Sequence, residues 1–139
     1  MPRLRTLIGF GFLTLFGGCL IILWRTPTTG YSYSRQDAPM LGLPQDASDI
    51  DFYLTGYMPV SSYSFQTSES NFREWSEGFG DVTLVSATRG RIQYAEPTGD
   101  TRMVSTSDGI EYGGTEGDRG RYTLFDRPSG RAYYFAHTR

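Results

Sequence analysis

An uninterrupted apolar run, from Leu7 to Trp24, constrains this chain more than any other feature. None of its eighteen residues is charged. At about 1.5 Å per residue a helix of that length measures about 27 Å, close to the roughly 30 Å hydrocarbon core of a bilayer. We therefore expect residues 1–25 to form a transmembrane helix that acts as an uncleaved signal-anchor.

The charges that flank the run predict its orientation. Arg3, Arg5 and the α-amino group precede it, whereas Arg25 alone follows it directly. Under the positive-inside rule this asymmetry favours a cytoplasmic N-terminus. Trp24 suits the opposite interface, because its ring is apolar and its N–H needs a polar partner. We expect a single-pass protein of the cell membrane with an extracytoplasmic C-terminal domain.

Two other interpretations of the run remain open. The segment Phe16-Gly17-Gly18-Cys19 resembles a lipobox, so lipidation of Cys19 would replace the spanning helix with a lipid anchor. Against this, Phe16 occupies the position where Leu is usual, and apolar residues follow Cys19. A cleaved signal peptide needs a small-x-small site. Residues 25–31 offer no convincing one, so the uncleaved anchor is favoured.

Three small residues of the run share one helical face. Gly11, Thr14 and Gly18 are spaced i, i+3 and i+7, which would let a second membrane helix approach closely. This face is a candidate contact surface for a protein partner in the membrane. Small residues are also common in anchors that bind nothing.

Composition beyond residue 25 excludes several classes of function. Ten Arg and no Lys stand against fifteen acidic residues, a net charge of about −5. Nucleic acid is therefore not an expected partner, and lysine-based chemistry is absent. The only cysteine is Cys19 and the only histidine is His137, so we expect no disulfide, metal site, cofactor or small-molecule substrate, and no catalytic residues.

Residues 26–48 combine Pro, Gly, Ser, Thr and Tyr without periodicity, which predicts a flexible tether. Leu41 and Leu43, near its end, are expected to pack against the domain that follows. That domain is predicted to comprise residues 49–139.

Alternating residues predict strands at the start of this domain. Ile50, Phe52 and Leu54 fall on one face, and polar residues and Tyr53 on the other. Tyr63 and Phe65 repeat the pattern, so the two strands are expected to pair. Short apolar segments separated by glycine turns predict six further strands, near residues 82–88, 91–95, 101–105, 110–112, 121–125 and 132–137.

One helix is predicted, over residues 67–78. Thr67 or Ser68 can cap its first amides, and Gly78 suits its C-terminal end. A buried stripe of Phe72, Trp75 and Phe79 would pack on a sheet. The expected fold class is therefore α+β: a mostly antiparallel sheet or meander with one short packed helix, preceded by a single N-terminal transmembrane helix.

Clusters of charged residues offer weak signals of chemistry. The carboxylate pairs that a hydrolase would need could come from Glu74 and Glu77, or from Glu96, Glu111 and Glu116. Arg91, Arg121 and Arg131 each follow a glycine and could form an anion site. Residues 108–111 and 116–118 place acids near glycines, but neither follows the pattern of a calcium loop. For each cluster, turn formation or solvation is the simpler explanation.

Two further features concern recognition. Residues 113–120 are rich in glycine and are expected to form a mobile loop between strands, the favoured contact region. Aromatic residues occur on both faces of the C-terminal strands. They are Tyr112, Tyr122, Tyr133, Tyr134 and Phe135. An exposed aromatic face would bind protein or glycan, but a place in the core is the favoured interpretation.

Spaced residues over about a quarter of the chain resemble a known group of proteins. Leu43-Pro44-x-x-Ala47-x-x-Ile50 is followed by Tyr63-x-Phe65-x-x-Ser68-Glu69-x-x-Phe72-x-x-Trp75. The pattern is similar to the opening of small, uncharacterised, membrane-anchored bacterial proteins, and it implies location and class alone. We expect a non-enzymatic extracytoplasmic interaction or accessory domain, such as a subunit of a membrane complex. The alternative is a cell-envelope glycan binder or a carboxylate-based hydrolase.

Overall fold

The computed structural model describes residues 26–56 and 59–138. Within these ranges the chain forms nine strands, one α-helix and a 3₁₀ turn at Pro39–Leu41. In chain order they are β1 Thr28–Tyr33, β2 Ser48–Leu54, β3 Ser61–Gln66, α1 Glu69–Glu77, β4 Thr83–Ser86, β5 Gly90–Ala95, β6 Thr101–Thr106, β7 Gly109–Glu116, β8 Arg119–Asp126 and β9 Arg131–Thr138.

Seven strands form one sheet in the order β1-β2-β3-β9-β8-β7-β4, and β5 and β6 form a separate hairpin. Every pairing is antiparallel. The prediction of a mostly antiparallel sheet with one short helix is therefore confirmed. In the described ranges no helix is long and apolar enough to cross a membrane. The predicted anchor, with Gly11, Thr14, Gly18 and Cys19, lies outside them.

Helix α1 forms as its sequence predicts. The Ser68 hydroxyl accepts a hydrogen bond from the Asn71 amide at 3.4 Å, which caps the first turn. Phe72 is fully buried, and Trp75 and Phe79 pack against the same core. The helix ends at Gly78, which keeps a right-handed backbone. These contacts fix the helix on one face of the sheet, which we call the helix face.

The core of the helix face is mostly aromatic and aliphatic. Phe72 stacks on Phe125 with ring centroids 5.3 Å apart, and Tyr63 stacks on Tyr134 at 4.2 Å. The apolar residues of β2 and β3 point to this face, as the period-2 pattern predicts. Its other buried members are Ala38, Leu43, Ala47, Ile50, Phe52, Phe65, Ile110, Tyr112 and Ala132.

The opposite face is covered by the β5–β6 hairpin, and we call it the hairpin face. Ile92, Tyr94 and Val104 of the hairpin pack on Leu124 and Phe135 of the sheet. The C-terminal aromatic residues thus serve two cores, one on each face. Tyr112, Tyr134 and Phe135 are buried, and Tyr122 and Tyr133 pack against the hairpin. The core interpretation is confirmed.

The predicted flexible tether of residues 26–48 is wrong for the part that the structure describes. β1 pairs with β2, and Ala38, Leu43 and Ala47 are buried. Leu41 also packs against the core, so its predicted contact is confirmed together with that of Leu43. Composition misled here because turn-rich polar segments can still contribute an edge strand and a few buried side chains.

Residues 113–120 are also not a loop. β7 and β8 pair without interruption from Gly109 and Asp126 to Glu116 and Arg119. Gly117, with φ of 57°, forms the tight turn between them. Gly114 faces the helix side, where a Cβ would collide with the carbonyl oxygen of Asp81. The glycines therefore allow close packing, and this segment carries no mobile contact region.

Candidate interaction surface at a sheet edge

The three arginines of the candidate anion site are separated in the fold. Arg121 lies on the helix face, with Nη1 2.6 Å from the Asp81 carboxylate and its guanidinium 4.5 Å from the Phe79 ring centroid. Arg131 lies on the hairpin face and binds two carboxylates, those of Asp49 and Asp51. Two of the three positive charges are therefore already neutralised, and no shared anion site forms.

Three of the five candidate catalytic carboxylates are engaged in separate contacts. Glu77 accepts a hydrogen bond from the Tyr112 hydroxyl at 2.8 Å. Glu96 pairs with Arg102 at 2.6 Å. Glu111 accepts from the backbone amide of Arg91 at 3.0 Å. Each of these three carboxylates thus has a partner that accounts for its position.

The shifted carboxyl pKa values in the described residues all move downward. The Arg131 guanidinium that hydrogen-bonds Asp49 holds the pKa of that carboxyl below its usual range. Arg127 does the same for the pKa of Glu69, at the N-terminus of α1. A general acid at neutral pH needs a raised pKa instead. These two acids are therefore components of ion pairs.

The candidate calcium segment at residues 108–111 also has an acidic side chain in an ion pair. The Asp108 carboxylate lies 2.7 Å from Arg127, in the same network as Glu69. No group of three His, Cys, Asp or Glu side chains could hold a metal ion in the described parts of the chain. The Asp108–Arg127–Glu69 network instead joins the turn before β7 to the turn after β8 and to the helix.

The single histidine lies near the end of β9. The His137 ring is 6.4 Å from that of Tyr122 and nearly parallel to it, and it also contacts Phe135. Its Nδ1 atom is buried and has no hydrogen-bond partner among the residues described. Gly120 makes room for this ring, since a Cβ there would lie 2.6 Å from it. His137 thus packs as an aromatic side chain at this end of the sheet.

Strand β4 carries two exposed apolar side chains at one edge of the sheet. β4 is the last strand of the sheet, and within the described ranges no strand lies beyond it. Leu84 is 52% exposed and Val85 is 60% exposed. A register shift between Leu84 and Ser86 leaves Val85 without a partner on β7. The edge therefore presents apolar side chains beside free backbone groups.

A groove of about 620 Å³ runs beside this edge, between β4 and the β5–β6 hairpin. Val85, Arg89 and Arg91 line it, together with the Glu111 carboxylate that accepts from the Arg91 amide. Neither arginine side chain forms an ion pair within the described residues. The groove thus joins an apolar side chain to two arginines and one glutamate. We call the strand edge and groove together the β4 surface.

The β4 surface could not be predicted from the sequence because local patterns locate strands without giving their order in the sheet. Adjacent Leu84 and Val85 would point to opposite faces of a strand. In a central strand that pattern indicates burial on both sides. The consecutive apolar pair was a usable signal, but only the topology shows that it lies at an edge.

A second groove, of about 660 Å³, lies between α1 and the segment before β2. Trp75 forms part of its wall, and its Nε1 donates a hydrogen bond to the Gly42 carbonyl at 3.0 Å. Glu74 is the one charged residue that lines it. A single exposed carboxylate does not make a catalytic pair.

The chain matches no protein-family model, and neither curated proteins nor solved structures show significant similarity to it.

Proposed function

We propose that this protein is a membrane-anchored, extracytoplasmic interaction domain without enzymatic activity, and that it acts as an accessory subunit of a membrane complex. In this proposal the Leu7–Trp24 run holds the chain in the membrane, and the β4 surface binds an extended segment of a protein partner. The observation that carries the proposal is the open β4 edge, with Leu84 and Val85 both more than half exposed.

Strand addition is the binding mode that fits this edge. An unpaired strand offers a row of N–H and C=O groups to which an incoming strand can hydrogen-bond. Exposed apolar edges promote aggregation unless something covers them. Val85 and the groove beside it would receive alternate apolar side chains of the partner strand.

The charges of the β4 surface indicate the partner's chemistry. Arg89 and Arg91 line the groove without a side-chain ion pair in the described chain, and with Glu111 they leave it one net positive charge. An extended peptide that carries apolar residues and at least one carboxylate would satisfy both the apolar strip and these guanidinium groups. We therefore propose a partner segment with an apolar and acidic composition.

The alternative functions have less support. A glycan binder would use exposed aromatic rings along a groove, but the C-terminal rings of Tyr112, Tyr134 and Phe135 are buried. Tyr31 and Tyr33 are exposed, but they line neither of the two grooves described above. A hydrolase would use a facing pair of carboxylates, but Glu77, Glu96 and Glu111 each bind a different group. Neither alternative therefore has a described surface comparable to that of β4.

Site-specific photocrosslinking in intact membranes tests the protein-partner proposal. A photoreactive residue at Val85 is expected to give one discrete adduct, and Val85→Lys is expected to abolish co-purification of the same protein. Met103, which is 57% exposed on the separate β5–β6 hairpin, supplies the matched control position. Equal adducts at both positions, or a monomer without adducts, would overturn the proposal.

Anchoring is tested separately. Full-length protein in membranes is expected to resist alkaline carbonate extraction. Protease added from the extracytoplasmic side should cleave the domain, whereas protease added from the cytoplasmic side should not. Release by carbonate, or the opposite protease pattern, would contradict the location without bearing on the β4 surface.

A further inference from the structure

We infer that the opposite edge of the sheet, formed by β1 and the turn after it, lies against the lipid headgroups of the membrane that holds the chain. This inference rests on the proposed anchoring by Leu7–Trp24. It assigns a lipid surface to one edge of the domain and leaves the other edge for the protein partner.

Three exposed large apolar side chains belong to β1 and the connection that follows it. Tyr31 is 56% exposed, Tyr33 is 40% exposed and Met40 is 64% exposed. All three belong to β1 or to the connection between β1 and β2. The remaining large exposed apolar residues of the described chain are Leu84, Val85 and Met103, on β4 and β6. Exposed apolar surface therefore falls into separate areas of the domain.

Chain length places the β1 edge near the bilayer. β1 begins at Thr28, four residues after Trp24. Even a fully extended chain spans only about 3.3–3.6 Å per residue, so these two residues lie at most about 14 Å apart. If Trp24 lies at the membrane interface, Thr28 cannot be far above the headgroups. A flexible tether over residues 26–48 would have let the domain move freely above the membrane, but part of that segment forms β1.

The side chains of this edge suit a membrane interface. Tyrosine has an apolar ring and a polar hydroxyl, and it is enriched where hydrocarbon meets water. The Tyr33 ring is held edge-on against Phe52, with ring centroids 5.4 Å apart, so its exposed part is fixed in position. Met40, in the 3₁₀ turn that follows β1, adds a flexible exposed apolar side chain.

The charges around this edge favour zwitterionic headgroups. The Asp37 carboxylate accepts a hydrogen bond from the Ser34 hydroxyl, and Arg131 neutralises Asp49 and Asp51. Arg35 donates its Nε–H to the Leu43 carbonyl. No cluster of unpaired arginines is present in the described part of this edge, so strong attraction to anionic lipid is not expected.

The same arrangement leaves β4 accessible. Six strand-to-strand intervals of about 4.8 Å separate β1 from β4, a distance of about 29 Å across the sheet. The edge joined to the anchor is thus the one farthest from the proposed protein-binding surface. A partner could reach β4 while β1 rests on lipid.

Fluorescent probes on the full-length protein in lipid nanodiscs test the inference. Single cysteines are introduced as Tyr31→Cys, Met40→Cys and Leu84→Cys in a Cys19→Ser background, and each is labelled with an environment-sensitive dye. The nanodiscs contain phosphatidylcholine with a nitroxide near the headgroup. We expect the nitroxide to quench the probes at 31 and 40, with blue-shifted emission, and to leave the probe at 84 unaffected.

The outcomes separate this inference from the proposed anchoring. Co-purification with nanodiscs, together with equal and weak quenching at all three positions, would overturn the membrane contact and leave the anchor intact. Failure of the protein to enter nanodiscs would refute the proposed anchoring, and with it the membrane contact that rests on it. Because Tyr31 adjoins β2, the circular dichroism of each variant is compared with that of the parent. Met40→Cys, in an exposed turn, provides the second test should Tyr31→Cys unfold.

Discussion

The two faces of the seven-stranded sheet are packed in different ways. The helix face buries thirteen residues, most of them aromatic or aliphatic, in one continuous core. The hairpin face buries five apolar residues beside the hydrogen-bonded Ser62 and Ser64, whereas the larger helix face contains one comparable buried pair, Ser76 and Thr123. We therefore expect the helix face to supply most of the hydrophobic stabilisation, and the hairpin face to depend on hydrogen bonds for a larger share of its own stabilisation.

The hairpin face shows how its polar groups are satisfied. The Ser62 hydroxyl accepts a hydrogen bond from the Ala95 amide at 2.9 Å, which holds β5 against the sheet. The Ser64 hydroxyl lies 3.1 Å from that of Tyr94 and accepts from Arg131. Since unsatisfied buried polar groups are costly, these bonds specify where the hairpin lies as well as stabilising it.

Phe72→Ala should produce the largest loss of stability. Phe72 is fully buried and contacts the rings of Phe125, Tyr112 and Trp75. Removing a buried phenylalanine ring leaves a cavity that the surroundings fill only in part, at a cost of about 3–5 kcal/mol. Urea unfolding of the full-length protein in detergent micelles measures the change in the free energy of unfolding.

The control for Phe72→Ala is Glu74→Ala, an exposed position on the same helix. A surface substitution of this kind is expected to change stability by no more than about 0.5 kcal/mol. Similar losses of unfolding free energy in the two variants would show that burial of Phe72 does not stabilise the fold. That result would contradict the expectation that the helix face supplies most of the hydrophobic stabilisation.

Ile92→Ala is the corresponding change on the hairpin face. Ile92 is 3% exposed and packs in the smaller core. We expect a loss toward the lower end of the range of about 2–5 kcal/mol, because a small core can collapse into the space. Met103→Ala, on the outer side of the same hairpin, is the matched control and should be nearly neutral.

Hydrogen exchange sharpens this second test. If the two cores are partly independent, amides of β5 and β6 should exchange faster in Ile92→Ala, while those of α1 remain protected. Equal acceleration in α1 and in the hairpin would show instead that both faces unfold as one cooperative unit.

The helix face could be predicted largely from the sequence. Ile50, Phe52 and Phe65 alternate with polar residues, and Phe72 and Trp75 follow helical spacing, so both patterns identify the surfaces that meet. The hairpin face could not, because Ser62 and Ser64 have the polar character of solvent-exposed positions. Alternation separates apolar from polar side chains, but it does not show whether a polar face is later covered.

Strand β1 and the β4 surface were also not predicted, because local sequence patterns do not show which segments meet in the fold. β1 contains Gly30, against which the Phe52 ring packs so closely that a Cβ would collide. Its period-2 signal is limited to Tyr31-Ser32-Tyr33-Ser34, within a segment that otherwise has turn-forming composition. Leu84 and Val85 are visible in the sequence, but their exposure depends on sheet order. The pairing of β1 and the exposure of Leu84 and Val85 both depend on contacts between segments that are distant in the sequence. Local patterns carry no information about such contacts.

Arg131→Met should give an intermediate loss, and one that depends on pH. The guanidinium contacts Asp49, Asp51 and Ser64, and its side chain is only 16% exposed. We expect a loss of about 1–2 kcal/mol at neutral pH, since hydrogen bonds to charged groups contribute more than neutral ones but Asp49 is half exposed and screened by water.

The pH dependence has a defined sign. Hydrogen bonding to Arg131 lowers the pKa of Asp49 in the folded state, so the unfolded state takes up a proton first as pH falls. The stabilisation is present above the ordinary aspartate pKa and is lost on acidification through the folded value. The stability difference between parent and variant should therefore narrow below about pH 4–5. A constant difference would contradict the ion pair.

Glu69 provides an internal reference for this measurement. Its pKa is lowered by Arg127, at a site that Arg131 does not touch. The Arg131→Met variant should therefore keep the loss of stability on acidification that arises from Glu69. Complete loss of acid sensitivity in the variant would mean that the two networks are coupled, against the separation proposed between the faces.

Tyr94→Phe should give the smallest effect and the most specific one. It removes only the hydroxyl that lies 3.1 Å from Ser64, and it keeps the ring against Tyr133. Arg131 still donates to the Ser64 oxygen, but the Ser64 O–H loses the oxygen to which it donates, so we expect a loss at the upper end of about 0.5–1.5 kcal/mol. Tyr31→Phe, at an exposed position, is the control and should be neutral. If Tyr94→Phe were also neutral in urea unfolding, the small apolar core alone would hold the hairpin. Both faces would then be stabilised by the same kind of packing, in different amounts.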